Sequence, residues 1–282
     1  MSSLRIGLAQ VSSRIGDVEW NLKKHLAVLN EAQSKKVDLL IFPELSLCGY
    51  VLRDLAYEVS KASRAAISKL RGASRECTIV LGSVDEVRPG ILRNTAFVVG
   101  EGKLIARVPK FYLPTYGLFE EARYFEPGDP LRDVRTVNVS GFEIGVSICE
   151  DLWHPEPAEA LARKGAELIV CIAASPARGI GSGRGRGSRI WIRDAWHAIL
   201  KATAITNTVH VAFANLVGPE DEEYFWGGSM VVGPDGDVLC EGKLFEEDLV
   251  TCDVDIEDNA RARRFSSFRV HQRGFHQLLS DL

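Results

Sequence analysis

Short apolar runs alternate with longer amphipathic stretches along most of the chain, the pattern of strands interleaved with helices. Residues 4–11 (LRIGLAQV) read as a strand, and residues 18–35 as a helix with Leu22, Leu26 and Leu29 on one face. Residues 37–42 form a second strand and 57–71 a second helix. Three strands follow at 78–84, 94–99 and 103–108, joined by Gly/Pro turns. A strand pair covers 134–139 and 142–148. After it come a short helix at 156–164, a strand at 167–173, a glycine- and arginine-rich stretch, and a long helix at 189–206. Four further strands follow, with Gly233-Pro234-Asp235-Gly236 as a turn in their midst. An opening β-α-β pattern with hairpins later predicts one α/β domain, residues 1–257, whose sheets are mixed. From residue 258 to 282 the chain is polar and basic-aromatic, a C-terminal tail expected to pack on the domain or on a neighbouring subunit.

Three of the apolar runs end on reactive side chains. Leu39-Leu40-Ile41-Phe42-Pro43 runs into Glu44, and Leu104-Ile105-Ala106-Arg107-Val108-Pro109 runs into Lys110. Ile144-Gly145-Val146-Ser147-Ile148 breaks at Cys149 into the acidic segment Glu150-Asp151-Leu152-Trp153-His154-Pro155. Open α/β sheets put ligands at strand carboxyl ends. Singly, each residue has an ordinary explanation: a solvated lysine, a charge at a turn, an inert buried thiol. Together they complete one reaction. Cys149 would attack a carbonyl carbon and form a thioester; Glu44 would take the thiol proton, pass it to the leaving amine and activate water. Lys110, with a backbone N–H just after Cys149, would stabilise the oxyanion.

Composition narrows the setting. The 282 residues are 46% hydrophobic and 26% charged, enough for a sizeable core. A net charge of −4 gives no push toward nucleic acid or an anionic membrane. No apolar run approaches the ~20 residues of a membrane span. Met1-Ser2-Ser3-Leu4-Arg5 lacks a signal-peptide pattern, so a cytoplasmic location is expected. None of the six cysteines forms a C-x-x-C pair, and no Cys/His group has zinc-ligand spacing. Most are expected to be small buried hydrophobes, Cys171 most clearly. The run from Arg178 to Gly187 matches no phosphate-loop spacing and reads as a flexible loop near the pocket mouth, its arginines available to an anionic substrate.

Phe42-Pro43-Glu44, Pro109-Lys110-Phe111-Tyr112-Leu113-Pro114 and Ile148-Cys149-Glu150-Asp151-Leu152-Trp153, in that order, resemble the nitrilase superfamily of carbon–nitrogen hydrolases. The likeness extends from residue 4 to about 255. It implies a four-layer αββα sandwich, with two mixed sheets flanked by helices. It also implies a Glu44-Lys110-Cys149 triad, no metal or organic cofactor, and a homodimer or larger homo-oligomer formed through the helices beside the cysteine. Within the superfamily, the segment 113–125, Cys149 to Trp153 and Tyr224 to Ser229 are similar to the glutaminase domain of glutamine-dependent NAD synthetases. An auxiliary glutamate is common in the superfamily. By its distance from Tyr124-Phe125 it falls on Glu121, with Glu120 as the alternative. The resemblance further implies Tyr116, Glu150 and Ser175 as substrate-binding residues, against a core aromatic for Tyr116 and a turn residue for Ser175. An arginine among Arg178, Arg184, Arg186 and Arg189 would complete the set.

The expected function is thus a cysteine amidase that hydrolyses a small amide, glutamine-like or another ω-amide, with release of ammonia. N-carbamyl amine hydrolysis is the rival, since Glu121 to Asp129 also fits its E-x-x-Y-F-x-P-G-D segment. A nitrilase proper would show Cys-Trp-Glu or Cys-Gly-Glu. No S-G-G-x-D-S pyrophosphatase motif occurs before Leu282, so the ammonia is expected to reach solvent or a separate synthetase partner.

Overall fold

Strand β1 (Ser3–Gln10) is apolar along most of its length because both of its faces are buried. Leu4, Ile6 and Leu8 face the centre of the molecule, while Ala9 faces the helices α1 (Val18–Ser34) and α2 (Leu55–Ala73). β2 (Leu39–Ile41) repeats the division, with Leu39 and Ile41 inward and Leu40 outward. Fully burying one such side chain contributes roughly 1.5–3 kcal/mol. Asp17 begins α1 by accepting from the Trp20 N–H at 3.0 Å, which satisfies one of the helix's orphan donors.

The structure is a computed structural model that describes residues 3–183 and 186–266. After α2 the chain forms β3 (Thr78–Arg88), β4 (Ile91–Gly100) and β5 (Lys103–Pro109), two short helices α3 (Glu121–Tyr124) and α4 (Pro130–Asp133), then β6 (Thr136–Val139) and β7 (Phe142–Ile148). A 3₁₀ turn over Cys149–Trp153 leads to α5 (Pro155–Arg163), β8 (Leu168–Ala173), β9 (Ile180–Gly183), β10 (Arg186–Ile190) and α6 (Trp191–Asn207). The last part holds β11 (His210–Asn215), β12 (Val217–Glu220), β13 (Glu223–Trp226), β14 (Met230–Val232), β15 (Val238–Glu241), β16 (Asp248–Asp255) and α7 (Ile256–Arg264).

Two mixed six-stranded sheets result, in the orders β16-β1-β2-β3-β4-β5 and β15-β14-β11-β8-β7-β6. Their inner faces share one core, in which Ile6, Ile41, Val98 and Val108 meet Ile144, Val146 and Phe213. α1 and α2 cover the first sheet, and α5 and α6 the second. This is the αββα sandwich expected, with two mixed sheets flanked by helices.

Two local expectations are corrected. The glycine-arginine stretch contains a hairpin, β9 with β10, in the register Ile180↔Ile190 and Gly181↔Arg189. Strand pairing is carried by backbone groups that glycine also possesses, so side-chain pattern could not reveal it. Among the described residues six strands rather than four follow α6, because β12 and β13 form a small separate hairpin. The expected boundary after residue 257 falls within α7, whose buried Asn259 donates to the Glu167 carbonyl at 2.6 Å. The rest of the expected tail, 267–282, lies outside the described residues. Among the described residues no helix is long and apolar enough to cross a membrane.

Candidate functional site

Pro43, just after β2, has no N–H to donate. Phe42 donates to the Val80 carbonyl at 2.8 Å, and the Pro43 carbonyl still accepts from the Gly82 N–H at 3.3 Å. The chain then turns at Glu44, and Leu45 takes a left-handed φ of 48°. The turn lies against β3 at Gly82, where a Cβ would stand 2.2 Å from the Leu45 nitrogen and 2.7 Å from the Glu44 Cα. Only glycine admits that approach. Glu44 is thereby held at zero exposure, with its Oε2 accepting from the Ala174 N–H at 2.9 Å.

Lys110 follows β5 and is also fully buried. Its Nζ lies 2.7 Å from Glu44 Oε1 and 2.5 Å from Glu121 Oε1. Asn94, on β4, donates to Glu44 Oε1 at 2.7 Å and to Glu121 Oε2 at 3.3 Å. The Tyr50 hydroxyl donates to Glu121 Oε1 at 2.6 Å. Buried charges persist only when paired and hydrogen-bonded, and here one ammonium serves two carboxylates. Burial alone would favour the neutral amine, but Glu121 and Glu44 outweigh it and hold Lys110 charged. Burial raises the Glu121 carboxyl to about 7, against the pull of Lys110 and with a push from Glu44. Glu120, the other candidate, is exposed and pairs with Arg123 at 3.9 Å; the structure brings Glu121 to the lysine.

Cys149 directly follows β7 on the second sheet and has a φ of 45°, a region that non-glycine residues visit rarely and at a cost. Burial, then the Glu44 carboxylate, raise its thiol well above the ordinary range, while Lys110 pulls it back. The resting group is therefore a protonated thiol within the field of a carboxylate and an ammonium.

Asp151 joins the two sheets' contributions. It is fully buried. Its Oδ1 accepts from the Phe111 and Tyr112 N–H groups, each at 2.9 Å, and its Oδ2 from the Ile148 N–H at 3.0 Å. One carboxyl group thus fixes the backbone just after Lys110 to the backbone just before Cys149.

The other expected residues lie farther out. Tyr116 is half-exposed rather than a core aromatic, and its hydroxyl donates to Glu150 Oε2 at 2.9 Å. Phe119 stands edge-on to Tyr116 at 5.4 Å, with the Arg178 guanidinium 4.5 Å over its ring. Of the four candidate arginines, Arg178 is the one placed here; Arg184 and the side chains of Arg186 and Arg189 lie outside the described residues. Ser175 is buried, its Oγ accepting from Trp196 Nε1 at 2.9 Å and Trp226 Nε1 at 3.3 Å. A cavity of about 370 Å³ reaches Tyr50, Phe119 and Glu121. Among the described residues no group of three or more His, Cys, Asp or Glu side chains could hold a metal ion.

Sequence reasoning missed Asn94, Tyr50 and Asp151. Asn94 had a signal: it is a polar residue on the strand face that Ala96 and Val98 direct into the core. Asp151 carried one as well, an acid three residues past a buried strand. Nothing local marked Tyr50.

Residues 5–264 match the family described as carbon-nitrogen hydrolase. A glutamine-dependent NAD(+) synthetase of Thermotoga maritima is 38% identical over 267 residues, which make up 93% of this chain and 44% of the synthetase. The chain spans less than half the length of the curated relatives it matches. A glutamine-dependent NAD+ synthetase structure from Acinetobacter baumannii superposes with a TM-score of 0.82 at 28% identity, covering 91% of this chain and 46% of that one. A variant of the amidase from Nesterenkonia sp. AN1 superposes with a TM-score of 0.81 at 28% identity, covering 97% of this chain and 95% of that one. That structure shows covalent addition of the acetamide moiety of fluoroacetamide at its active site cysteine.

Proposed function

The chain belongs to the carbon–nitrogen hydrolase family, and from that premise we propose that it is a cysteine amidase that hydrolyses a glutamine-like amide through a thioester and releases ammonia. The observation that carries the reading is the buried Lys110 clamped between Glu44 and Glu121 beside a strained, protonated Cys149.

A protonated thiol is a weak nucleophile, so attack requires a base to remove its proton as the S–C bond forms. Glu44 fills that role, held in place by the Ala174 N–H and Asn94. As the carbonyl carbon becomes tetrahedral, its oxygen takes negative charge. Lys110, kept cationic by its two carboxylates, stabilises that charge in a water-poor site, an effect worth roughly 3–4 kcal/mol. Glu44 then delivers the proton to the departing nitrogen, and ammonia leaves. In the second half, Glu44 takes a proton from water as the water attacks the thioester; the C–S bond breaks, the acid is freed, and the departing Cys149 sulfur takes the proton back from Glu44. Glu121 is a supporting carboxylate: it balances Lys110 and, through Tyr50 and Asn94, holds it in place.

The rim of Tyr116, Glu150 and Arg178 supports an amino-acid amide as substrate. Glu150 offers a carboxylate to an α-amino group, and Arg178 a guanidinium to an α-carboxylate. A neutral aliphatic amide would use neither. The relatives' names support the same substrate, and with it a second reading, in which the ammonia feeds a synthetase partner.

The test is ammonia release from glutamine, aliphatic amides, N-carbamyl amines and nitriles, with Cys149→Ala as control. The reading expects glutamine to have the highest kcat/KM and the control to be inactive. Preference for a carbamyl amine, or full activity in the control, overturns it. Co-purification with a synthetase, together with faster turnover in its presence, would support the second reading.

A further inference from the structure

Two of the six cysteines differ from the rest. Cys48, Cys77, Cys149 and Cys171 are buried, whereas Cys240 and Cys252 are half-buried and within reach of solvent. Cys240 lies on β15, the end strand of one sheet, and Cys252 on β16, the end strand of the other. The two strands run close together where the sandwich closes. Along β16, Val250, Cys252 and Val254 turn inward while Thr251 and Asp253 face solvent; Val238 and Cys240 of β15 pack against the same core. The two thiols come together there, each the leading influence on the other's ionisation.

We propose that Cys240 and Cys252 form a redox-modification site, at which a hydroperoxide converts the thiol pair into an intrachain disulfide joining the end strands of the two sheets. The chemistry needs two steps. The Cys252 thiolate attacks the peroxide oxygen, giving a sulfenic acid and expelling an alkoxide or hydroxide, which takes up the proton Cys252 released. Cys240 then attacks the sulfenic sulfur; the S–O bond breaks, the Cys240 proton joins the departing hydroxide as water, and the S–S bond forms. Overall the two thiols are oxidised by two electrons, and the peroxide is reduced to water and an alcohol or a second water.

The order of attack follows from the contact. The closeness of the two sulfurs lowers the pKa of Cys252 and raises that of Cys240, so the pair carries its first negative charge on Cys252. Cys149 is the opposite case, since burial and Glu44 keep it a thiol. Thiolate character and access govern susceptibility to peroxide, so Cys252 reacts first.

The bond would close the segment that seats part of the candidate site. Gln10 Nε2 donates to the Lys243 and Glu246 carbonyls at 2.6 and 2.7 Å, and the Phe245 N–H donates to the Trp226 carbonyl at 3.0 Å. Trp226 in turn holds the Ser175 hydroxyl. A disulfide bracketing these contacts restricts the unfolded chain and stiffens the folded one.

The experiment treats the full chain with limiting hydrogen peroxide, quenches by alkylation, and maps peptides by mass spectrometry. We expect a Cys240–Cys252 cross-linked peptide about 2 Da lighter than its reduced pair, a monomeric cross-link, reversal by dithiothreitol, and a raised Tm. In Cys240→Ser, dimedone should trap a sulfenic acid on Cys252; in Cys252→Ser, Cys240 should remain alkylatable. Oxidation of Cys149 while both other thiols stay free, or a cross-link formed only between two chains, overturns the proposal. Neither outcome bears on the amidase reading, which rests on Cys149.

Discussion

Replacing Asp151 with asparagine tests whether one carboxyl group holds the two halves of the site together. The side chains have nearly the same shape, so no cavity opens. The amide oxygen can still accept from Phe111 and Tyr112, but its NH₂ then faces the Ile148 N–H, donor against donor. Burial raises the Asp151 carboxyl to about 7, so at pH 8 it is ionised; losing a hydrogen bond to this charged group then costs about 1.5–3 kcal/mol, and a buried N–H left unsatisfied about 1–3 kcal/mol. The sum is roughly 2.5–6 kcal/mol, which at about 2–4 °C per kcal/mol lowers the Tm by of order 10 °C. The kinetic effect is separate. Ile148 precedes Cys149 and Phe111 follows Lys110, so loosening that tie moves nucleophile and cation relative to each other. A displacement of about 1 Å costs on the order of 10²-fold in rate. The expected result, measured by ammonia release well below the variant's Tm, is kcat reduced about 100-fold with KM changed less than about threefold. Slower alkylation of Cys149 by iodoacetamide should accompany it. A variant with kcat within about twofold of the parent, whatever its Tm, would refute the positioning argument.

The remaining predictions concern the charged cluster and its packing. Glu121 has a folded-state pKa of about 7 against an ordinary 4.5. The folded chain therefore holds the extra proton between these values, and this group's contribution to stability falls as pH rises from about 4.5 to about 7, then levels. Because the ionised form balances Lys110, kcat/KM should climb to a plateau above about pH 7; an unchanged acid limb in Glu121→Gln removes this assignment. Lys110→Met leaves two buried carboxylates without a cation and should destabilise the chain by about 3–5 kcal/mol at pH 8. The loss should shrink toward pH 5 as Glu121 protonates; equal loss in chemical denaturation at both pH values would contradict the burial argument. Gly82→Ala drives a Cβ into the Glu44 turn, and should cost about 1–3 kcal/mol in denaturation midpoint and lower kcat more than it raises KM.

The positions of Glu44, Lys110 and Cys149 were legible because each ends a run whose hydrophobicity demands burial, so the strand and its terminus are visible together. The layers were legible for the same reason: alternation in β1 and β2 sorts side chains between the central core and the outer helices. The β9–β10 hairpin was not, since its pairing is a backbone property and its glycines carry no pattern.

What the sequence conceals in the site is whatever depends on contacts between segments far apart along the chain. Asn94 and Tyr50 reach Glu121 across 27 and 71 positions, and Asp151 reaches Phe111 across 40. The missed residues share a physical role. An ammonium and two carboxylates at near-zero exposure are tolerable only if their remaining hydrogen-bonding capacity is satisfied. Once Lys110 and Glu44 are known to be buried, donors for the carboxylates must exist, and they can come only from neighbouring strands and loops. Asn94 on the adjacent β4 fills that need, and its backbone carbonyl also receives the Lys110 N–H at 2.9 Å. The candidate residues could thus be read from where strands end. Their supports could have been sought by asking which polar side chains on the adjoining strand face the core, and on β4 that question leads to Asn94.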